Sequence, residues 1–521
     1  MTNKKNYIAL SIAFAISAET LSSQVNAVDL GPIQIDGFIR QHMSMNLDDP
    51  IGPGGAIDAK GDLSMNRTTL QLEWSADLPM DILFKGVARK SWEQNTSYLR
   101  GLNEAGAFGS ESPRDYYGDF EFREFYFEIP VGDRVLLTLG KQQVAWGESD
   151  FFQAMDLVHG FDYSWRSFLE PANEDLRKPV IMANAQIDFP KVDGQLQLLY
   201  RPGWDNDDQI GNTYDVEGGR WSNAPWKTVN FPAGDPYAYG HSEGDADDPT
   251  YGVRWNGQWG DYGYSLAYLH TFNPDPLMNA NPAFGGEAYK GVYTNDSTSF
   301  STIGEIIFPM IDVLGFTLNG YSESNDFVWS TEFAYIKDSP FNVSAVEGNP
   351  TPGCSPFVTG GLPHGFCGIQ ESDVLRTMFR IDKNLAFTQD LLGTEKPAFF
   401  SVQLFNTWLL DHEDGMKILV GQPEDRKEHS TLVTFILSTS YMNGRLIPEL
   451  VTGFDVTYGG GFAVPSITYA PGNHWRVKLE ADLFWADGNM EHGGDVTATD
   501  SALFGWFEGN DQLALTVTYQ F

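Results

Sequence analysis

The sequence predicts an all-β fold: a transmembrane, outer-membrane-type β-barrel of about 18 antiparallel strands (range roughly 16-20), with long outer loops and one plug segment folded into the lumen. Three stretches carry that expectation: residues 474–485, the closing residues up to Phe521, and the first 27 residues. In the first stretch His474, Arg476, Lys478, Glu480 and Asp482 alternate with Trp475, Val477, Leu479, Ala481, Leu483 and Trp485. Period two means a strand with one wet face and one apolar face. Ten residues tilted by about 40° rise roughly 25 Å, the height of a barrel's apolar band between its two aromatic girdles. The wet face then lines a lumen. Taken alone, this strand also suits a soluble sandwich.

The two chain ends favour the barrel. Leu513, Leu515, Val517, Tyr519 and Phe521 alternate with Gln512, Ala514, Thr516, Thr518 and Gln520. A closing strand that stops on Phe resembles the signal by which the barrel assembly machinery recognises outer-membrane proteins, which makes Phe521 its contact. At the other end Lys4 and Lys5 precede an apolar run from Tyr7 to Ala18, and Val25-Asn26-Ala27 puts small residues at a cleavage position. Residues 1–27 therefore read as a signal peptide and residues 28–521 as a single barrel domain. No other stretch reaches the ~18 consecutive apolar residues of a spanning helix. An exported chain of this kind enters lipid only as a closed barrel, because open sheet edges find no partners there.

Composition narrows the partners. The formal charge of -37 moves to about -38 once Lys4, Lys5 and Glu19 leave with the leader. Such a surface repels nucleic acid and instead keeps long loops solvated or attracts divalent cations. The two cysteines, Cys354 and Cys367, lie in a Gly/Pro-rich segment. In an exported chain that pattern predicts one disulfide pinning an outer loop. A metal site there would need more ligands than the nearby His364.

The strands follow in order. Ile33, Ile35, Gly37 and Ile39 open the first, and Leu70, Leu72, Trp74 and Ala76 belong to the second, which turns at Leu78-Pro79-Met80-Asp81. Ile82, Phe84, Gly86 and Ala88 make the third, followed by a long loop over residues 91–117. In the fourth, Phe125, Phe127 and Ile129 point outward while Arg123, Tyr126 and Glu128 point inward. Short turns recur at 131–134, 190–194, 259–261, 322–326, 442–444 and 471–473. Tight turns at one end and long loops at the other are the barrel pattern. Asn443-Gly444 suits a two-residue hairpin. Further inward charges are Arg376, Arg380, Arg476 and Lys478. Residues 299–309 fit either a strand or a loop, which leaves the count open.

After the fifth strand runs Gly140-Lys141-Gln142-Gln143-Val144-Ala145-Trp146-Gly147-Glu148-Ser149-Asp150-Phe151-Phe152. Gly147 breaks the strand, and Ser149 or Asp150 can cap a short helix through Val158. Phe151, Phe152, Met155 and Val158 would make that helix too apolar for outside water, so it is expected in the lumen as a plug. Lys141 and Glu148 should then pair with wall charges such as Arg123 and Glu128. The plug candidates are Lys141, Gln142, Trp146, Glu148, Asp150, Phe151, Phe152 and Met155.

This run, with its Gly-Lys-Gln, Trp-Gly-Glu and Asp-Phe-Phe elements, resembles a large proteobacterial family of outer-membrane proteins catalogued as domain of unknown function number one thousand three hundred and two. Leu176-Arg177-Lys178-Pro179 looks like its Leu-Arg-x-Pro segment, and Glu332, Ala334, Tyr335, Pro340 and Phe341 look like a second landmark. The departure is His159-Gly160, where members often show Asn-Pro. The resemblance implies a role beside a periplasmic lipoprotein-like carrier and an inner-membrane pump, moving hydrophobic compounds or lipids through the outer membrane. It gives no direction of transport.

Two other constellations stay open. The loop over 202–250 mixes Trp204, Trp221, Trp226, Phe231, Tyr237 and Tyr239 with acids, which suits either an apolar or sugar-like ligand or a loop packing on itself. Asp205, Asp207 and Asp208 offer oxygens for calcium without the spacing of an EF-hand, and no other cofactor is expected. A general or selective porin for polar solutes is the alternative to the hydrophobic channel, since the inward charges suit it equally. A hydrolase built on Ser149 and His159 is the third class, and no Gly-x-Ser-x-Gly elbow supports it.

Overall fold

A computed structural model describes residues 28–29, 32–52, 55–56, 58–104, 112–150, 152–166, 169, 173–206, 209–214, 220, 246–282, 287–293, 304–344, 367–418, 424–486 and 503–521. Eighteen of its strands form one barrel. The first nine are β1 Ile33–Asn46, β2 Leu63–Leu78, β3 Ile82–Glu93, β4 Phe120–Val131, β5 Val135–Gln142, β6 Val180–Phe189, β7 Gly194–Arg201, β8 Thr250–Trp259 and β9 Tyr262–Phe272. The rest are β10 Met310–Ser322, β11 Phe327–Val343, β12 Gly368–Leu385, β13 Ala398–Leu409, β14 His429–Ser438, β15 Leu446–Asp455, β16 Gly461–Tyr469, β17 Trp475–Trp485 and β18 Gln512–Gln520. Each pairs antiparallel with its sequence neighbour, and β18 returns to β1 from Asn46↔Gln512 to Phe38↔Gln520.

Closure is completed by the terminal residue. Gly37 N–H donates to the Phe521 carbonyl at 3.1 Å and Phe521 N–H to the Gly37 carbonyl at 3.0 Å. A Cβ at position 37 would lie 3.1 Å from the Phe521 ring and 2.3 Å from the Gln71 carbonyl. Glycine there leaves room for the closing aromatic.

Alternation places the apolar band outside. Leu266, Leu314, Phe333, Phe379, Leu404 and Leu479 are exposed in the strand interiors. Near the tight-turn end stand exposed Trp259, Tyr262, Tyr321, Tyr469 and Trp475, and near the other end Tyr200, Tyr251 and Trp408. Two aromatic belts flanking an aliphatic band are how a barrel meets a bilayer. Among the described residues no helix is long and apolar enough to cross a membrane.

Three details differ from the sequence reading or complete it. Residues 304–307 pair with Leu277–Ala280 in a hairpin outside the barrel sheet, so the described part of the ambiguous 299–309 stretch adds no span. The Asn443-Gly444 turn is longer than two residues: Tyr441 and Leu446 exchange backbone bonds, with Met442, Asn443 and Gly444 all at positive φ between them. The connection from β12 to β13 carries an unforeseen short helix, Phe387–Leu392, ended by Gly393 at φ 65°.

A candidate functional site in the lumen

Between β5 and β6, the described residues of the stretch 143–179 leave the wall and cross the barrel interior. The excursion is fastened at its neck by its own side chains. His159 Nε2 accepts the Val144 amide at 2.9 Å, and its Nδ1 donates to the Lys178 carbonyl at 2.9 Å. Asp156 accepts the Trp146 amide at 3.4 Å and pairs with Arg177. Both ring nitrogens of His159 therefore serve backbone groups, which leaves it no lone pair to act as base for Ser149. Burial holds the His159 imidazole at a pKa of about 3, so it is neutral.

From the neck the chain meets one wall strand after another. The Trp146 indole donates to Gln197 on β7 at 3.0 Å. Glu332 on β11 accepts the Glu148 amide with one carboxylate oxygen and the Met155 amide, at 3.0 Å, with the other. The Glu148 carboxylate accepts from Asn319 on β10 at 2.8 Å. Arg380 on β12 donates to the Glu148 carbonyl at 2.9 Å and pairs with Asp150 at 3.1 Å. Gln403 on β13 accepts the Asp150 amide at 3.1 Å and donates to its carboxylate at 3.0 Å. Phe152 lies edge-on between Phe405 and Phe504, 5.7 and 5.8 Å between centroids.

The return path closes the circuit. Arg166 reaches Glu480 on β17 at 2.6 Å, and Trp165 lies beneath the Arg67 guanidinium of β2 at 5.1 Å. Asp175 pairs with Arg40 on β1 at 3.3 Å and with Arg89 on β3. Arg123 on β4 donates to the Glu174 and Arg177 carbonyls at 2.7 and 2.8 Å. The excursion thus obstructs the lumen from side to side, as the sequence reading expected of a plug.

Its conformation is not the expected one. Among the described residues no helix runs from Ser149 to Val158; isolated turns close at Phe152 N–Asp150 O and Leu157 N–Met155 O. A helix satisfies its amides internally, whereas here Glu332 and Gln403 satisfy them from the wall, so the chain is free to spread its apolar side chains in several directions. The expected charge pairs also differ. Lys141 bonds Gln209 at 3.0 Å and lies 3.9 Å from Glu121; Glu128 pairs with Lys85 at 3.2 Å; Arg123 pairs with Glu121 at 3.1 Å. Lys141 and Glu128 find partners on the wall or rim, Arg123 divides its donors between Glu121 and plug carbonyls, and the plug carboxylates that wall arginines take are Asp150 and Asp175.

Other foreseen residues fall as follows. Gln142 is buried, donating to the Met182 carbonyl at 3.0 Å. Lys478 pairs with Glu480 at 2.6 Å. Arg376 and Arg476 share the inward parity of Arg380 and Lys478. The Asp205 carboxylate is taken by Arg201 at 3.3 Å and by the Ile181 amide at 2.6 Å, while Asp207 and Asp208 lie outside the described residues. Phe151, Cys354 and most of the 202–250 loop also lie outside them; Trp204 is exposed, and Cys367 is buried at the foot of β12.

Sequence reasoning missed Gln403, Arg166, Asp175 and Asn319, and it named Glu332 only as a landmark. Inward parity on a strand marks Glu332, Gln403 and Asn319, but gives no target for them.

Beside these polar contacts the inner wall carries an apolar cluster. Trp146, Met155 and Leu157 pack with Met182, Leu199, Leu269, Val313 and Ala334 on β6 to β11. Glycines on the wall make room: a Cβ at Gly252 would lie 2.7 Å from the Trp146 ring, and one at Gly315 would overlap the Met155 methyl at 2.0 Å.

Several solved barrels are similar in outline. The chain matches Pseudomonas aeruginosa OpdK with vanillate at 10% identity and a TM-score of 0.45, covering 94% of this chain and 98% of that one. It matches P. aeruginosa OccK5 (OpdH) at 9% and 0.46, with 94% and 98% covered, and Acinetobacter baumannii OccAB2 at 9% and 0.43, with the same coverage. No curated protein sequence matches. The sequence profile described as "Protein of unknown function (DUF1302)" matches residues 55–521, which includes both landmarks that meet where the Glu148 amide bonds Glu332, and the chain belongs to that family.

Proposed function

We propose that this protein is a Gram-negative outer-membrane channel for hydrophobic small molecules or lipids, working with a periplasmic lipoprotein-like carrier and an inner-membrane pump. The observation that carries the reading is the apolar cluster on the inner faces of β6 to β11, packed against Trp146, Met155 and Leu157 of the plug. A polar-solute pore needs a wetted interior, whereas here the apolar side chains of plug and wall fill one part of the lumen and the polar wall groups beside them, Gln197, Asn319 and Glu332, are taken by the plug. Passage along it suits a molecule that replaces side-chain contacts with its own apolar surface. Phe521, at the closing seam, is the residue for the assembly machinery to recognise.

Conductance tests the reading. Purified native protein in planar bilayers should show nearly closed channels, and deletion of 147–158 should raise conductance several-fold in a barrel that remains assembled. A large, steady conductance from the native protein would point instead to a porin. That second reading has one observation in its favour: Arg40, Arg67, Arg89 and Arg123 border a small cavity of about 70 Å³ on β1 to β4. Asp175 and Glu121 neutralise much of it. If anions pass there, ion-selectivity measurements on the deletion variant should show anion preference.

A further inference from the structure

The barrel wall has a weak seam. Between β16 and β17 the pairing runs Gly461↔Trp485 to Ala463↔Leu483 and resumes at Ser466↔Glu480, leaving Val464 and Pro465 without rungs opposite Asp482 and Ala481. Pro465 has no N–H to give. On its other side it stands opposite Leu450 of β15, and Pro448 stands opposite Ile467. The β15–β16 register runs unbroken past both prolines, so the local loss of sheet bonding lies on the β17 side of Pro465.

Outside this seam lies a groove of about 550 Å³, within the usual range of small-molecule sites. Leu450, Pro465, Ile467, Leu479, Ala481 and Leu513 line it from the lipid-facing side. Glu449, Ser466 and Glu480, on the inward parity of the same strands, line it too. The groove therefore reaches into the wall where the rungs stop. Inside, β14 to β17 carry an apolar cluster of Ile436, Val451, Phe462, Val464 and Phe484, with Phe152 of the plug packed against it. Val464 faces this cluster and Pro465 faces the groove. The plug also fastens the seam: Arg166 sits 2.6 Å from Glu480 and 3.7 Å from Asp482.

We propose that the seam between β16 and β17 is a lateral port, and that the outer groove binds a single free hydrocarbon chain passing between lumen and bilayer. The proposal rests on the hydrophobic-cargo reading above and specifies its route. A linear apolar chain fits both sides of the wall, because groove and inner cluster are apolar and only a narrow band of carboxylates lies between them. Arg166 and Lys478 neutralise that band while the port is shut.

The test is photolabelling of the full mature protein in phospholipid vesicles with a diazirine-bearing hexadecane, mapped by peptide mass spectrometry. Labels should concentrate at Leu450, Pro465, Ile467 and Ala481, fall with excess unlabelled hexadecane, and extend to Val464 and Phe484 inside. Ala481→Trp should cut groove labelling at least fivefold; Pro465→Val, which restores an N–H, should lower the inner labelling. A Pro465→Cys/Ala481→Cys pair, oxidised across the seam, should abolish inner labelling and regain it on reduction. Equal labelling of Leu266, Leu314 and Phe379 around the belt would overturn the groove, as would competition by added phospholipid alone. Inner labelling that persists in the oxidised pair would overturn the port while leaving an apolar lumen intact.

Discussion

Glu332 is the residue on which the plug's placement turns. Its two oxygens take amides from Glu148 and Met155, 184 and 177 residues away in sequence. Glu332→Ala should strand both amides in a buried setting at about 1–3 kcal/mol each, lowering the unfolding midpoint in detergent and raising conductance. Glu332→Gln keeps one acceptor and should lose less. His159 gives a pH-dependent counterpart. Its folded pKa of about 3 lies below the ordinary 6.5 because it is buried, so the unfolded chain binds the extra proton and stability falls as pH drops through that interval. Carboxylates titrate there as well, so the readout is a difference: His159→Asn should be less stable than the native protein at pH 7, and that gap should narrow by pH 4. A gap that stays constant would mean the ring does not titrate as its burial requires. Neither role was legible in the sequence, since parity says that a side chain faces inward but not which distant amide it meets.

Elements show the same division between local and distant causes. Strands and tight turns could be read from sequence because period two, proline and glycine act within a few residues; Trp475–Trp485 is the observed strand almost as the alternation defines it. The plug's location was legible for a related reason, an apolar run in a connection too exposed to hold it. Its conformation was not, because Glu332 and Gln403 replace the bonds a helix would make. The seam escaped as well: Pro448 and Pro465 are 17 positions apart in the chain, and only the register sets their strands side by side. The outer loop before β12 carries a prediction of its own. If Cys354 and Cys367 are bonded, the protein analysed without reductant should be two hydrogens lighter than the reduced one, and reduction should cost about 3 kcal/mol in the chain-entropy model. Thiols open to alkylation in the native protein would exclude the bond.

At the scale of the whole molecule, closure is the property on which the rest depends, because a barrel in lipid has no tolerance for an open edge. The β18–β1 seam spans nine register pairs from Asn46↔Gln512 to Phe38↔Gln520, and Phe521 adds the final exchange with Gly37. Two such bonds contribute about 1–3 kcal/mol in all, a small part of what holds the seam. If Phe521 is also the mark read by the assembly machinery, its removal should separate two outcomes. Native protein in detergent should migrate differently before and after heating, as a closed barrel does. Protein lacking Phe521 should refold from denaturant into vesicles to the same heat-modifiable form with a slightly lower unfolding midpoint. In cells it should accumulate outside the membrane fraction several-fold more than the native chain. Equal loss in both settings would make Phe521 a structural rung only. Unaltered assembly in cells would mean that recognition rests on the alternating residues Leu513 to Tyr519 and that the last aromatic serves to cover Gly37.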